Sequence, residues 1–379
     1  MRRLLLLVGA LVWVDTMLYA ALTPLLPAFH LSKAGSGALV GAYAAGALVG
    51  GLPGGAAAAR LGSRRAVLVG LTLMGLASLG FAFAHGFGLL AAARFLQGAG
   101  SGFTWAGAFA WLLAAAPRER RGELIGSAMG AAIFGALFGP VVGATAALLG
   151  RAPVFVALAG LAVVLAWWTL RLDPVPPEHP SLEAIRRALR SRVFLAGLAL
   201  MSLPAFLFGV VQTLGPLHLA AAGWGAAAIG SVFLTSAGIE AALSPVVGRF
   251  LDRRGWRIPV EVALALSVVF SVGLALGLRP VGYVPLILAA CGAYGVLFTP
   301  AFVLIADGAE QAGLPQGMAF GLMNAAWASG ALVGPAAGGA IAAASGDVAP
   351  FLIAAALCAV SLAVVRRRGR AARRPQTDP

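Results

Sequence analysis

Charge is scarce in this chain. Only 11% of its 379 residues are charged, against about 25% in an average soluble domain. So few charges cannot cover a water-exposed globule. With 60% hydrophobic residues and a mean hydropathy of +0.94, lipid is the expected solvent. Cysteine is nearly absent. Cys291 and Cys358 each lie inside an apolar run, which excludes a disulfide framework and a thiolate metal site. Histidine is also scarce, and His30, His85, His179 and His218 scatter over loops and helix ends. Without a Ser/His, His/Glu or metal cluster an intramembrane enzyme has no support, and neither a cofactor nor a metal is expected. Alternation of apolar and polar residues is also lacking, which argues against strands.

What is present is a series of unbroken apolar runs. A bilayer core about 30 Å thick takes roughly 20 apolar residues per helix. Twelve such runs occur, at about 4–27, 36–57, 66–84, 88–115, 123–148, 152–171, 193–219, 225–248, 258–277, 282–305, 316–342 and 348–365. The first follows Arg2 and Arg3 as a signal peptide would. Its length, and the interruptions at Asp15, Pro24 and Pro27, favour a first membrane helix.

The net charge of +14 would suit nucleic acid if it were spread evenly. It is not. With both termini on one side, 23 of the 27 basic residues fall on that side; Lys33, Arg151 and Arg279 fall outside it, and Arg94 lies within a helix. This positive-inside bias predicts a multi-pass protein of the cytoplasmic (inner) membrane with both termini cytoplasmic, and no nucleic-acid partner.

The chain also repeats itself. GAAAARLGSR (55–64) and GRFLDRRGWR (248–257) share the pattern Gly-x-x-x-[Asp/Ala]-Arg-x-Gly-x-Arg at an offset of 193 residues. Pro24 and Pro216, Gly98 and Gly292, and Gly139-Pro140 and Gly334-Pro335 lie at nearly the same offset. The expected architecture is therefore an all-α membrane protein of twelve transmembrane helices in two six-helix bundles in parallel repeat. The expected divisions are a first bundle at 1–172, a linker at 173–192, a second bundle at 193–366 and a basic tail at 367–379. The linker stretch SLEAIRRALRSR sets Leu182, Ile185 and Leu189 against arginines, the pattern of a short helix on an anionic leaflet, or simply of a solvated linker. Duplication with interrupted helices is the pattern of secondary transporters, whose site lies between the repeats near mid-membrane.

Four motifs carry a resemblance to the major facilitator superfamily over nearly the whole chain. GRFLDRRGWR resembles the superfamily's loop between helices 2 and 3, in its second-half copy. RFLQGAGSG (94–102) is similar to the fourth-helix motif Arg-x-x-Gln-Gly-x-Gly. GALFGPVVG (135–143) resembles the fifth-helix motif of antiporters, and DTMLYAALTPLLP (15–27) the first-helix pattern of twelve-helix drug and tetracycline exporters. The resemblance implies the major facilitator fold and proton-coupled export.

Asp15 lies about 11 residues into the first helix, roughly 16 Å deep. A charge at that depth costs at least ~2.5 kcal/mol. Such a carboxylate can exchange protons with whichever side it faces, or it can serve packing alone through hydrogen bonds. Arg94, with Gln97 beside it, is expected roughly 5 Å away in depth, as its partner or as an arginine reaching for the outer interface. The repeat puts Leu207 and Leu288 at the equivalent positions, so proton handling is expected of the first half. Glu240 is either a second proton or cation site or a structural partner for an inner-loop arginine.

In the loop motif, Gly55 and Gly248 are expected to let helices approach closely, and Gly62 and Gly255 to supply tight turns. The resemblance implies that its acid latches the cytoplasmic ends shut. Asp252, with Arg253 and Arg257, keeps that acid, while position 59 is Ala, so Arg60 and Arg64 are expected to serve mainly as topology charges. The ladder Gly126, Gly130, Gly135, Gly139, ending at Pro140 and followed by Gly143, is expected to present one smooth packing face; Gly334 and Pro335 belong to its copy. Candidate substrate-lining residues are Tyr19, Trp105, Met129, Gln212, Tyr294, Phe298, Asn324 and Trp327.

These features lead to a proton-coupled exporter of a small amphiphilic, drug-like compound, working as a monomer by alternating access in the lipid bilayer. A metabolite symporter or uniporter remains the alternative. A sensor or scaffold without transport remains another, favoured by the missing acid at Ala59.

Overall fold

The computed structural model describes residues 1–117, 120–174, 182–314 and 316–372; the side chains of 121–123, 252, 316–317 and 368–372 lie outside that description. Among the described residues every regular element is a helix. The long ones are α1 (Arg2–Phe29), α2 (Lys33–Leu61), α3 (Ser63–Phe83), α4 (Phe87–Ala115), α5 (Arg121–Leu149), α6 (Arg151–Leu170), α7 (Arg192–Ala221), α8 (Ala226–Arg254), α9 (Arg257–Ala275), α10 (Pro280–Ala312), α11 (Gln316–Ser345) and α12 (Val348–Ala372). Eleven are long and apolar enough to span a bilayer by length and composition, and α4 is not among them. Arg94, Gln97 and its glycines dilute its hydropathy, yet Arg94 and Gln97 are 1% and 0% exposed. α2 and α3 enclose α4, so neighbouring helices rather than lipid receive its polar face.

Two apolar cores form. One gathers side chains from α1 to α6, the other from the linker helix Leu182–Ala188 and α7 to α12. This is the two-bundle layout of twelve helices. Without a hydrophobic driving force in lipid, helices associate through close packing, which small residues permit. A Cβ on Gly46, Gly50, Gly54, Gly98 or Gly102 would strike backbone of the facing helix in the α2–α4 seam. Gly135, Gly139 and Gly143 seat α5 on the backbone of α1 in the same way, and Gly330 and Gly334 seat α11 on α7. The expectation of one continuous glycine face on α5 needs correction, because Gly126 and Gly130 have nothing within 4 Å. The same holds for Gly55 and Gly248, which bring no helices together. All four lie toward the arginine-rich end.

The bundles meet mainly along α2 with α11 and α5 with α8. At the end opposite the arginines this seam is tight. Gly37 and Gly41 press on α11 backbone at Pro335 and Leu332, and Gly339 presses on the Lys33 carbonyl. There Lys33 Nζ also meets Asp347 Oδ1 at 2.6 Å, across the bundles.

The linker helix docks through Ala184 and Ala188, leaving Leu182 and Leu189 exposed. Gly62 and Gly255 turn the chain at φ 91° and 75°, values that glycine adopts without a Cβ clash.

Candidate functional site

α1 does not run straight. It turns at Ala21 and continues through a short helical turn into a 3-10 segment. Pro24 and Pro27 lack the N–H groups that would continue the ladder. Nearly two turns before this break Asp15 points into the bundle, 3% exposed. Its Oδ1 accepts from the Tyr43 hydroxyl at 2.6 Å. Its Oδ2 accepts from Ser101 Oγ at 3.0 Å and from the Trp105 indole N–H at 2.6 Å.

Arg94 is just as buried but does not pair directly with Asp15. Its guanidinium donates to the carbonyls of Leu18 at 3.0 Å and Tyr19 at 3.3 Å and to Gln97 Oε1 at 3.1 Å. It lies over the Tyr43 ring, 4.7 Å from the centroid. Gln97 in turn donates to Ser78 Oγ at 3.1 Å. The direct ion pair expected from depth alone is therefore replaced by a relay, with Tyr43 bonded to the acid by its hydroxyl and to the base by its ring face. The guanidinium holds the α1 backbone just ahead of the interruption at Ala21.

Trp105 connects this network to the seam between the bundles. It lines a narrow cavity with Gly51, Gly102, Phe109, Phe320 and Asn324, of about 20 Å³, room for about one water molecule. Two aromatic contacts bridge the bundles beside it. Tyr19 meets Trp327 edge-on at 5.2 Å, and Phe109 stacks on Phe320 at 5.0 Å. The Phe pair lies toward the arginine-rich end. There Gly51 and Gly321 have nothing within 4 Å, so at these positions α2 and α11 are not in the backbone contact they make at the far end.

The remaining candidates are dispersed. Asn324 lies at the cavity with Trp105, and Tyr19 and Trp327 lie beside the seam. Met129 packs on the first core, and Gln212 is half-buried on α7. Tyr294 is wholly buried, its hydroxyl 2.7 Å from Ser271 Oγ and its ring edge-on to Phe208, which makes it a core residue of the second bundle rather than a cavity wall. Phe298 stacks on the same Phe208. Glu240 sits against Gly295, just before α10 breaks at Leu297, well apart from the Asp15 network. Arg257 turns to Glu261 at 2.8 Å and to the Arg366 carbonyl at 3.2 Å, within its own bundle. The Asp252 side chain lies outside the described residues.

Tyr43, Ser78 and Ser101 were not among the expected site residues. For Ser101 a signal existed, because positions 94, 97, 101 and 105 form a polar stripe at helical spacing. Tyr43 sits in an apolar, glycine-rich helix and had none.

A family model described as Major Facilitator Superfamily matches residues 4–317. No curated protein matches the chain in sequence. Among solved structures, the fold is similar to a partially occluded inward-open conformation of the xylose transporter XylE from E. coli. That match has a TM-score of 0.77 and 13% identity, covering 96% of this chain and 98% of that one. A D-xylose-proton symporter matches with a TM-score of 0.72 and 16% identity, covering 96% of each chain. At these identities the likeness speaks for the fold. The chain belongs to the Major Facilitator Superfamily and has the fold of its secondary transporters.

Proposed function

We propose that the protein exports a small, flat amphiphilic compound in exchange for protons. The reading rests on one observation: the Trp105 indole both donates to the Asp15 carboxylate and walls the cavity at the bundle seam. The Trp105 N–H can only donate, whereas the Tyr43 and Ser101 hydroxyls can donate or accept. A protonated Asp15 can therefore turn its new O–H toward one hydroxyl while Trp105 stays on the other oxygen. A ring bound against Trp105 shifts that indole, and with it the stability of the charged carboxylate. Proton and substrate then compete through one side chain, the requirement for exchange.

The cavity is too small for a substrate, so loading requires the seam to open. It opens at the arginine-rich end, taken as cytoplasmic, because there Gly51 and Gly321 lack the close backbone contacts that Gly37, Gly41 and Gly339 make at the other end. Aromatic walls suit a flat apolar body. Asn324 and the Trp105 N–H offer too few hydrogen-bonding groups for a sugar, which weighs against the symporter alternative. In everted membrane vesicles carrying an imposed proton gradient, adding a transported compound should release lumenal protons. Asp15→Asn should abolish that release, and an unchanged response would overturn the proposal.

A further inference from the structure

Outside the transport path, α9 and α12 leave a groove between them on the outer face of the second bundle. It measures about 450 Å³ and is lined by Ala265, Val268, Ala359, Leu362, Ala363, Arg366 and Arg367. The three alanines leave the space between the two helices unfilled. Its lining on α12 runs from Ala359 to Arg367, about 12 Å at 1.5 Å per residue, close to half of a 30 Å bilayer core. The groove therefore matches one leaflet.

Its mouth is charged. Arg366 and Arg367 line it, and Glu261 is the acid beside Arg366 and Arg257; Arg257 Nε is 2.8 Å and Arg366 Nε 3.6 Å from its carboxylate. Among the described residues, three guanidinium groups against one carboxylate leave a surplus of positive charge. Arg367 has no ion pair among the described residues and is exposed. An apolar trough one leaflet deep, capped by unneutralised arginine at headgroup level, is complementary to an acyl chain ending in a phosphate.

We propose that this groove holds an anionic glycerophospholipid of the leaflet at the arginine-rich end, acyl chain between α9 and α12 and phosphate on Arg366 and Arg367. The lipid bridges the two helices and supplies the charge that Glu261 alone cannot.

The test uses the full chain in a Cys291→Ala/Cys358→Ala background, with a bimane fluorophore on Ala363→Cys, in phosphatidylcholine vesicles. Brominated phosphatidylglycerol or brominated phosphatidylcholine is added at equal mole fraction. The phosphatidylglycerol should win the groove by ~fivefold for each arginine in reach. In Arg366→Ala/Arg367→Ala the two lipids should quench alike. The same fluorophore on Val164→Cys, exposed on α6, should show no preference in either background. Equal quenching by both lipids at Ala363→Cys would overturn the proposal. So would a preference that survives loss of both arginines, or one as large on α6, since each would mean attraction by the basic tail at large.

Discussion

The two bundles repeat one design and differ in what they bury. The first places a carboxylate and a guanidinium, 3% and 1% exposed, around Tyr43. The second has Leu207 and Leu288 at the equivalent positions, and among its described residues the buried polar contacts are neutral pairs such as Tyr294 with Ser271. Both fold into the same six-helix form, so the fold does not need the charges. Charged groups in hydrocarbon are expensive, and here the cost is met by three donors on Asp15 and by backbone carbonyls on Arg94. A network that one bundle does without is the mark of function rather than of architecture.

Charge neutralisation should separate the bundles most widely. Asp15→Asn is expected to eliminate substrate-driven proton release, whereas Glu240→Gln in the second bundle should leave it measurable, as everted-vesicle pH recordings will show. If Glu240→Gln were equally inactive, proton handling would belong to both bundles.

The glycine seams should differ as well. A Cβ on Gly98 would overlap the Tyr43 carbonyl and crowd the Ala47 amide, both rigid backbone. On the repeat-equivalent Gly292 it would meet the Ile239 and Leu243 side chains at 3.3 and 3.5 Å, which can yield. Gly98→Ala should cost about 3 kcal/mol and Gly292→Ala less than about 1 kcal/mol, read from thermal unfolding in detergent. Equal losses would mean that the α8–α10 seam is as unforgiving as α2–α4.

Between the two loop copies, position 59 is Ala where the second copy has Asp252. Ala59→Asp should shift cysteine labelling toward the outward-facing state, by an amount set by the ~0.3–1 kcal/mol that an acid gains beside a helix N-terminus. Unchanged labelling would leave the two copies functionally alike.

The smallest effect is expected from the ion pair joining the bundles at the far end. Lys33 and Asp347 are 38% and 34% exposed, and such pairs contribute about 0–1 kcal/mol. Lys33→Ala should raise labelling at that end by at most ~fivefold, and less at high salt.

Much of this molecule was written along its chain. Helix number follows from unbroken apolar runs, because lipid requires each backbone to satisfy its own hydrogen bonds within a helix. The repeat follows from glycines and prolines at one offset, and Asp15 and Arg94 stood out because charge in hydrocarbon demands a reason. Depth along a helix could rank which groups lie level, but it could not say what lies between them. Tyr43 comes between Asp15 and Arg94 because Gly98 lets α2 come into backbone contact with α4, a lateral approach that no single-helix periodicity encodes. The same limit hid the Trp105 link to the seam and the Lys33–Asp347 pair, 314 residues apart. Composition along the chain settles which segments enter the membrane and which charges enter with them. Only tertiary packing decided which partners those charges take, because partner choice depends on helix rotation and separation, and these are set jointly by all the surrounding helices.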